Sequence, residues 1–386
     1  MKKTRWIIFG LSVTVFLVFY FKPYTVYHSL NSIIPSTEFV PDTLHLNWNK
    51  KVSLKLESIK NSYKGKRYMF PKPSYIKVFV DELKDSSKIR FKGDYLSHLR
   101  RKEWSFRLKN KKKNKWKGNK KINFHHPRER LDINEYVFHR YMKESGHLAL
   151  DYDFTIVIKN NDKPQLYAYE ECIDRNYLKK RNLKGVLLRF DEAPFFNWMM
   201  YFVPDSFPAT LINRFYKSSK ILSIGKLKNQ NLLDEAKRKL SNWRKGNLKT
   251  SEIFNIEKTA DFLALSDIWG AHHGVGFNNI RFFYNSDNHK FELIATDANS
   301  CLIGNVLIDQ SYQLFKTFFS DEKFKKSYLS KLNSYKDGRE ISVFLLKNIS
   351  EIKSRVKLLE KYYPNSDNNL AYLHYNFEVA KLFIDR

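Results

Sequence analysis

The strongest constraint on the fold is a change of period near residue 195. Before it, short β-branched and aromatic runs alternate with polar residues, as half-buried strands require. "IKVFVDEL" (76–83) and "SKIRFKGD" (87–94) are two such runs, and "KGD" supplies a turn. "EWSFRLKNKKKNKWKGNKKINF" (103–124) reads as two strands around a basic hairpin whose tip covers 111–118. "DFTIVIKNNDKPQLYAYEE" (153–171) reads as a second hairpin. Two helices interrupt: "DINEYVFHRYMKESG", with Asp132 suited to an N-cap and Gly146 to a stop, and "DRNYLKKRNLKG", ending at Gly185. After 195 the spacing turns helical in "NLLDEAKRKLSNWRKG", "IEKTADFLALSDIWGAHH" and "SVFLLKNISEIKSRVKLLEKYY". One hairpin, "NIRFFYNSDNHKFELIATD", is embedded among these helices, with its turn at 286–288. The pattern predicts an α+β fold in two lobes, β-rich over 76–195 and mainly helical over 196–386.

The N-terminus has its own logic. "MKKTR" is basic, and residues 6–21 carry no charge. Sixteen residues make about 24 Å of helix, a little short of a hydrocarbon core of roughly 30 Å. Trp6, Tyr20 and Lys22 suit the interfaces. A cleaved signal peptide is the rival reading, but no small-x-small site follows. Residues 1–25 are therefore expected to be an uncleaved membrane anchor, with the main domain exported. Residues 26–75 are mixed and Ser/Pro/Lys-rich, and read as a stalk or N-terminal extension. Within them "VSLKLESI" (52–59) alternates like a strand.

The formal net charge of +29 predicts attraction to something anionic: nucleic acid, acidic lipid, an acidic polymer or a nucleotide. The stretch 100–130 holds fourteen Lys/Arg against two acids, interleaved by Trp104, Trp116 and Phe124. It reads either as a solvated basic hairpin or as a surface for an anionic envelope polymer or lipid headgroup. Specific nucleic-acid binding is not expected, because no RRM, KH or zinc-finger signature is present. The two cysteines, Cys172 and Cys301, have no zinc spacing, and nothing in the sequence places them together as a disulfide.

Three places carry candidate chemistry. "RFKGD" puts Arg90 and Lys92 on one face of a strand, where two cations can hold a phosphate or simply face solvent. Glu171 ends "YAYEE", where it can pair with a lysine. "HHGVGFNN" (272–279) follows a helix, and "TDANS" (296–300) closes the next hairpin. Asn278 and Asp297 have the order of metal ligands in a phosphotransferase: a loop Asn, a hairpin, then an Asp. A catalytic base would lie five residues before that Asn, at His273. His272 and His273 also fit a helix C-terminal cap, and the residues alone do not choose.

The order of these motifs resembles the CotH kinase-like family, bacterial proteins related to a spore-coat kinase. The matching stretches are "IRFKGD", "KEWSFRLK", "NFHHPRER", "LYAYEECIDRNYL" and "NNIRFFYN…KFELIATD", over roughly residues 76–300. The resemblance implies a divergent, two-lobed protein-kinase-like fold. It also implies phosphate transfer from ATP to a protein acceptor, with Mg²⁺ or Mn²⁺. On that basis Arg90, Lys92 and Arg107 become cofactor-side cations, and Glu171 the acidic end of the "Y…E" strand. Asn278 and Asp297 become metal ligands, and His273 and Asp297 the catalytic pair. The family pattern has Asp where this chain has His273, which implies an altered mechanism or a pseudokinase. A non-catalytic envelope module that holds an anionic polymer through 100–130 is the alternative function.

The anchor reading has a direct test. Fractionation is expected to find the full-length chain in membranes, resistant to carbonate wash. A soluble mature form beginning after residue 25 would overturn it.

Overall fold

The structure is a computed structural model, and it describes residues 35–111, 115–202, 208–225, 229–366 and 368–385. The expected anchor at 1–25 lies outside these residues. Among the described residues no helix is long and apolar enough to cross a membrane.

Twelve strands are formed among the described residues: β1 (Thr43–Asn47), β2 (Ile76–Val80), β3 (Asp85–Phe91), β4 (Phe106–Lys109), β5 (Lys121–His125), β6 (Leu148–Ala149), β7 (Tyr152–Lys159), β8 (Gln165–Glu171), β9 (Gly185–Phe190), β10 (Ile221–Ser223), β11 (Arg281–Asn285) and β12 (Phe291–Ala295). Seven of them close a barrel in the order β1-β2-β3-β4-β5-β8-β7. Its last seam is the parallel pair β1–β7, from Thr43 opposite Ile156 to Leu46 opposite Lys159. Closure leaves the barrel no free strand edge. The other five strands form a sheet in the order β10-β9-β11-β12-β6.

This arrangement corrects the expected fold. The β-rich and helical halves were expected to be separate lobes, kinase-like, with one hairpin embedded among helices. Instead the first half closes into a barrel. The hairpin β11–β12 is also not an isolated insert. β11 pairs with β9, from Arg281 opposite Arg189 to Asn285 opposite Gly185, and β12 pairs with β6. Strands from before residue 195 thus complete a sheet that the later residues begin. Local periodicity marks a strand, but it does not say which distant strand supplies the missing hydrogen bonds.

Period-2 burial explains the barrel. In β2 the side chains of Ile76, Val78 and Val80 turn inward, while Lys77 and Phe79 turn out. The interleaved aromatics of the basic stretch belong to the same interior. Phe124 stacks on Phe106 with ring centroids 4.6 Å apart, and Trp116 meets Tyr169 edge-on at 5.2 Å. Trp104 packs against Phe91 and Phe106. These rings fill the barrel rather than form a stacking surface between cations.

Two further local readings change. "VSLKLESI" lies within the helix Lys50–Asn61, whose first turn is capped by the Asn49 side chain accepting from the Val52 N–H. Val52, Leu56 and Ile59 share one helical face against the barrel core, so helical spacing prevails over apparent alternation. β1, inside the stretch expected to be a stalk, is a barrel strand. The long C-terminal run divides at Asn348 into helices Arg339–Lys347 and Ile349–Tyr362. Cys172 and Cys301 are free thiols, the first buried and the second exposed.

A second core, larger than that of the barrel, joins the five-stranded sheet to the C-terminal helices, with Trp243 and Trp269 fully buried in it. Helix Ile256–Ile268 leads through Trp269 to Gly270, where the chain turns towards the two histidines. Gly270 has φ +59°, and a Cβ there would fall 1.6 Å from the Cys301 carbonyl oxygen. Only glycine meets both demands. Gly270→Ala is expected to cost at least about 2 kcal/mol of stability, combining left-handed strain with displacement of the 301 backbone. A urea midpoint unchanged from wild type would refute this.

Candidate functional site

A cleft of about 360 Å³ opens between the barrel and the five-stranded sheet. Barrel strands β3, β4, β5 and β8 contribute Arg90, Arg107, Lys121, Asn123, Glu170 and Glu171 to it. The turn after β3 contributes Lys92 and Asp94. The sheet side contributes Arg189, Glu192, Asn279, Arg281 and Asp297. With Lys72, Arg130 and Asp174, the lining carries eight Lys/Arg against six carboxylates. A surplus of cations in a partly enclosed space favours an anionic ligand.

Asp297 is at its centre. Arg130 donates from Nη1 to Asp297 Oδ1 at 2.7 Å, and its Nε lies 3.5 Å from Glu170. Both partners are largely enclosed, with side-chain exposures of 5% for Arg130 and 22% for Asp297. Burial pushes the Asp297 carboxyl up, but Arg130, His273 and Lys92 outweigh it and hold the pKa down at about 2. Asp297 is therefore an anion at neutral pH. Burial likewise opposes the charge on Arg130, and Asp297, Glu170 and Glu135 more than restore it. Lys92 feels burial first, with Asp94 opposing, and its pKa is lowered. Behind them, burial holds His98 neutral, at about 3, and His125 far below the ordinary range.

The residues named from sequence divide as follows. Arg90 and Arg107 face one another across β3 and β4, and both line the cleft with Lys92. Arg107 is anchored by its Nε donating to Asn123 Oδ1 at 2.7 Å. Glu171 also lines the cleft, but it is committed to Arg181 at 2.7 Å and Lys180 at 3.3 Å. Its neighbour Glu170 is the one linked to Arg130 and to Asn123. His273 comes to Asp297, with Nε2 3.7 Å from Oδ1. His272 turns elsewhere, to Asp267 at 2.7 Å and Gln310 at 2.8 Å. Asn278 lines a separate cavity with His273, and the Asn278 carbonyl accepts from Arg281. The next residue, Asn279, lines the Asp297 cleft, and its amide nitrogen donates to the His273 carbonyl at 3.1 Å.

Among the described residues no group of three His, Cys, Asp or Glu is placed to hold a metal. A hard divalent ion that arrives on phosphate needs less: one or two carboxylates, with phosphate and water completing its shell. Asp297 and Asp94 both line the cleft, Asp297 paired with Arg130 and Asp94 with Lys72, so any such ion would share these carboxylates with the cations already beside them. The donor set fits phosphate-borne Mg²⁺ or Mn²⁺ better than a closed protein cage.

One support was not visible in the sequence. Glu135, fully buried on helix Ile133–Glu144, accepts from the Ala298 N–H and the Asn299 N–H, each at 3.0 Å. His139 lies 3.1 Å from the same carboxylate. Asp297 and Asn299 both have positive φ, +50° and +45°. This backbone is sparsely populated for residues other than glycine and needs outside support. Glu135 sits 162 residues before Asp297 (297 − 135), so no local pattern announces the contact. Glu135→Gln turns an amide NH₂ towards a backbone donor and loses a charge-assisted bond. We expect a loss of about 3 kcal/mol and faster hydrogen exchange at the 298 and 299 amides. Unchanged exchange there would mean that Glu135 does not hold the turn.

The comparisons with known proteins agree with this geometry in one respect. No curated protein matches the chain. The family model described as CotH kinase protein matches residues 89–384, more than half of the chain and every cleft residue named above except Lys72. With its motif order now supported over that span, the chain belongs to the CotH kinase protein family.

Proposed function

We propose that this protein transfers a phosphoryl group from a metal-bound nucleotide in the charged cleft to a hydroxyl presented at His273. The observation that carries the reading is the contact between His273 and Asp297 at the wall of a cation-rich cleft. Arg90, Lys92, Arg107 and Arg281 pair with phosphate oxygens. Guanidinium forks suit this role because they meet two oxygens at once. Asp297 would be the principal protein ligand of a divalent ion arriving on the phosphate, and such an ion would supply charge neutralisation there. His273 accepts the proton of the incoming hydroxyl. At 44% exposure, it is the member of the pair that an acceptor can reach.

We propose, together with the activity, that a membrane anchor at 1–25 holds this site outside the cytoplasm, where a donor other than ATP serves in vivo. A non-catalytic envelope module remains the second reading, because the basic stretch still carries exposed lysines such as Lys111. Its aromatic component is weakened, since Trp116 and Phe124 are taken up by the barrel.

Thermal shift separates these readings. ATP with Mg²⁺ or Mn²⁺ is expected to stabilise the protein, and Asp297→Ala is expected to abolish the metal-dependent part. His273→Ala should retain the shift and lose transfer to an acceptor by roughly 10²–10⁴-fold, the usual contribution of a general base. A shift without any transfer in the wild type would indicate a pseudokinase. No response to ATP with either metal would end the nucleotide reading.

A further inference from the structure

His273 lines one cavity and touches Asp297, which lines another of opposite chemistry. The Asp297 cleft is crowded with charge. The cavity that His273 lines is larger, about 590 Å³, and among the described residues no Asp, Glu, Lys or Arg lines it. That is unusual in a chain with a net charge of +29. Its walls are apolar and aromatic, with Phe195, Ile212, Phe277 and Phe315 among them. Several of its polar side chains are held by hydrogen bonds. His272 is held between Asp267 and Gln310. The Asn213 amide oxygen accepts from the Gln313 N–H at 2.6 Å.

We propose that this cavity is the acceptor site, and that it takes an uncharged peptide segment carrying a hydroxyl flanked by apolar side chains. A charged flank would lose its water there and find no counter-charge, which is costly. Apolar and aromatic flanks gain burial against the phenylalanines. Amide and hydroxyl groups on the wall suit a peptide backbone. The volume lies within the range of ligand pockets, roughly 300–1,000 Å³. The hydroxyl reaches its end of the pocket at His273. There its proton passes to the His273 imidazole, its oxygen bonds to the γ-phosphorus, and the β–γ bridging bond breaks. The nucleoside diphosphate leaves with the electron pair. Occupancy of the cavity stands on its own observations; the transfer step rests on the phosphotransfer reading.

Three matched fluorescent peptides test the proposal. Each has a central serine or tyrosine, flanked by leucine and phenylalanine, by lysine and arginine, or by aspartate and glutamate. Their binding to the full-length chain is read by anisotropy at about 0.15 M salt, which screens long-range attraction. The neutral peptide is expected to bind at least about tenfold more tightly than either charged one. Ser311→Lys, an exposed position on the rim, and Ile212→Lys should each weaken it by about tenfold. The exposed variant guards against misfolding as an explanation. Equal or tighter binding of a charged peptide, or indifference to both substitutions, overturns the site. Tight neutral binding with no transfer from ATP removes the phosphotransfer reading and leaves the pocket. Transfer to peptides that is unaffected by both substitutions removes the pocket and leaves the phosphotransfer reading.

Discussion

The ion pair between Arg130 and Asp297 is the contact on which the site depends. Arg130 follows β5 of the barrel, and Asp297 follows β12 of the sheet, so one charge pair ties the two β structures together. A buried pair is not by itself a source of stability, because removing two ions from water costs about as much as their attraction returns. What it supplies here is register. Glu170 takes the remaining face of the guanidinium, and Glu135 holds the backbone beyond Asp297. If Asp297 were lost, Arg130 would keep Glu170. If Arg130 were lost, a buried carboxylate would face Asp94 and Glu170 without its principal partner.

The same pair sets the protonation of the cleft. It keeps Asp297 ionised despite enclosure, while His98 and His125, buried beside Arg130 and Lys92, stay neutral. The cleft thus presents a modest excess of cationic side chains around an ionised Asp297. Charged groups already in place when an anion arrives favour phosphoryl transfer.

Much of the local structure was legible in the sequence, and the assembly was not. The hairpins at 103–124, 153–171 and 279–297 appear where the alternation and turn residues put them, because both signals act over a few residues. Barrel closure depends on β1 meeting β7, more than a hundred residues away, and the five-stranded sheet depends on β9 meeting β11. Neither pairing leaves a periodic trace. The site shows the same division. His273 and Asp297 were adjacent in the reading because one short hairpin separates them. Arg130, Glu135 and Glu170 reach the site from other elements. Glu170 was one residue from Glu171, and in a strand that single step decides which face a side chain takes. Asn278 and Asn279, one step apart in the turn before β11, line different cavities.

The presence of His273 where an aspartate was expected takes on a physical meaning in this setting. An aspartate at that rim would stand next to the Asp297 carboxylate, and like charges so close disfavour joint ionisation. It would also place a formal charge beside a cavity whose described walls carry no Asp, Glu, Lys or Arg. A histidine avoids both costs. Its imidazole lines the larger cavity and stands 3.7 Å from the Asp297 carboxylate, so under the proposed function the substitution suits a side chain that must touch both cavities without adding a second anion.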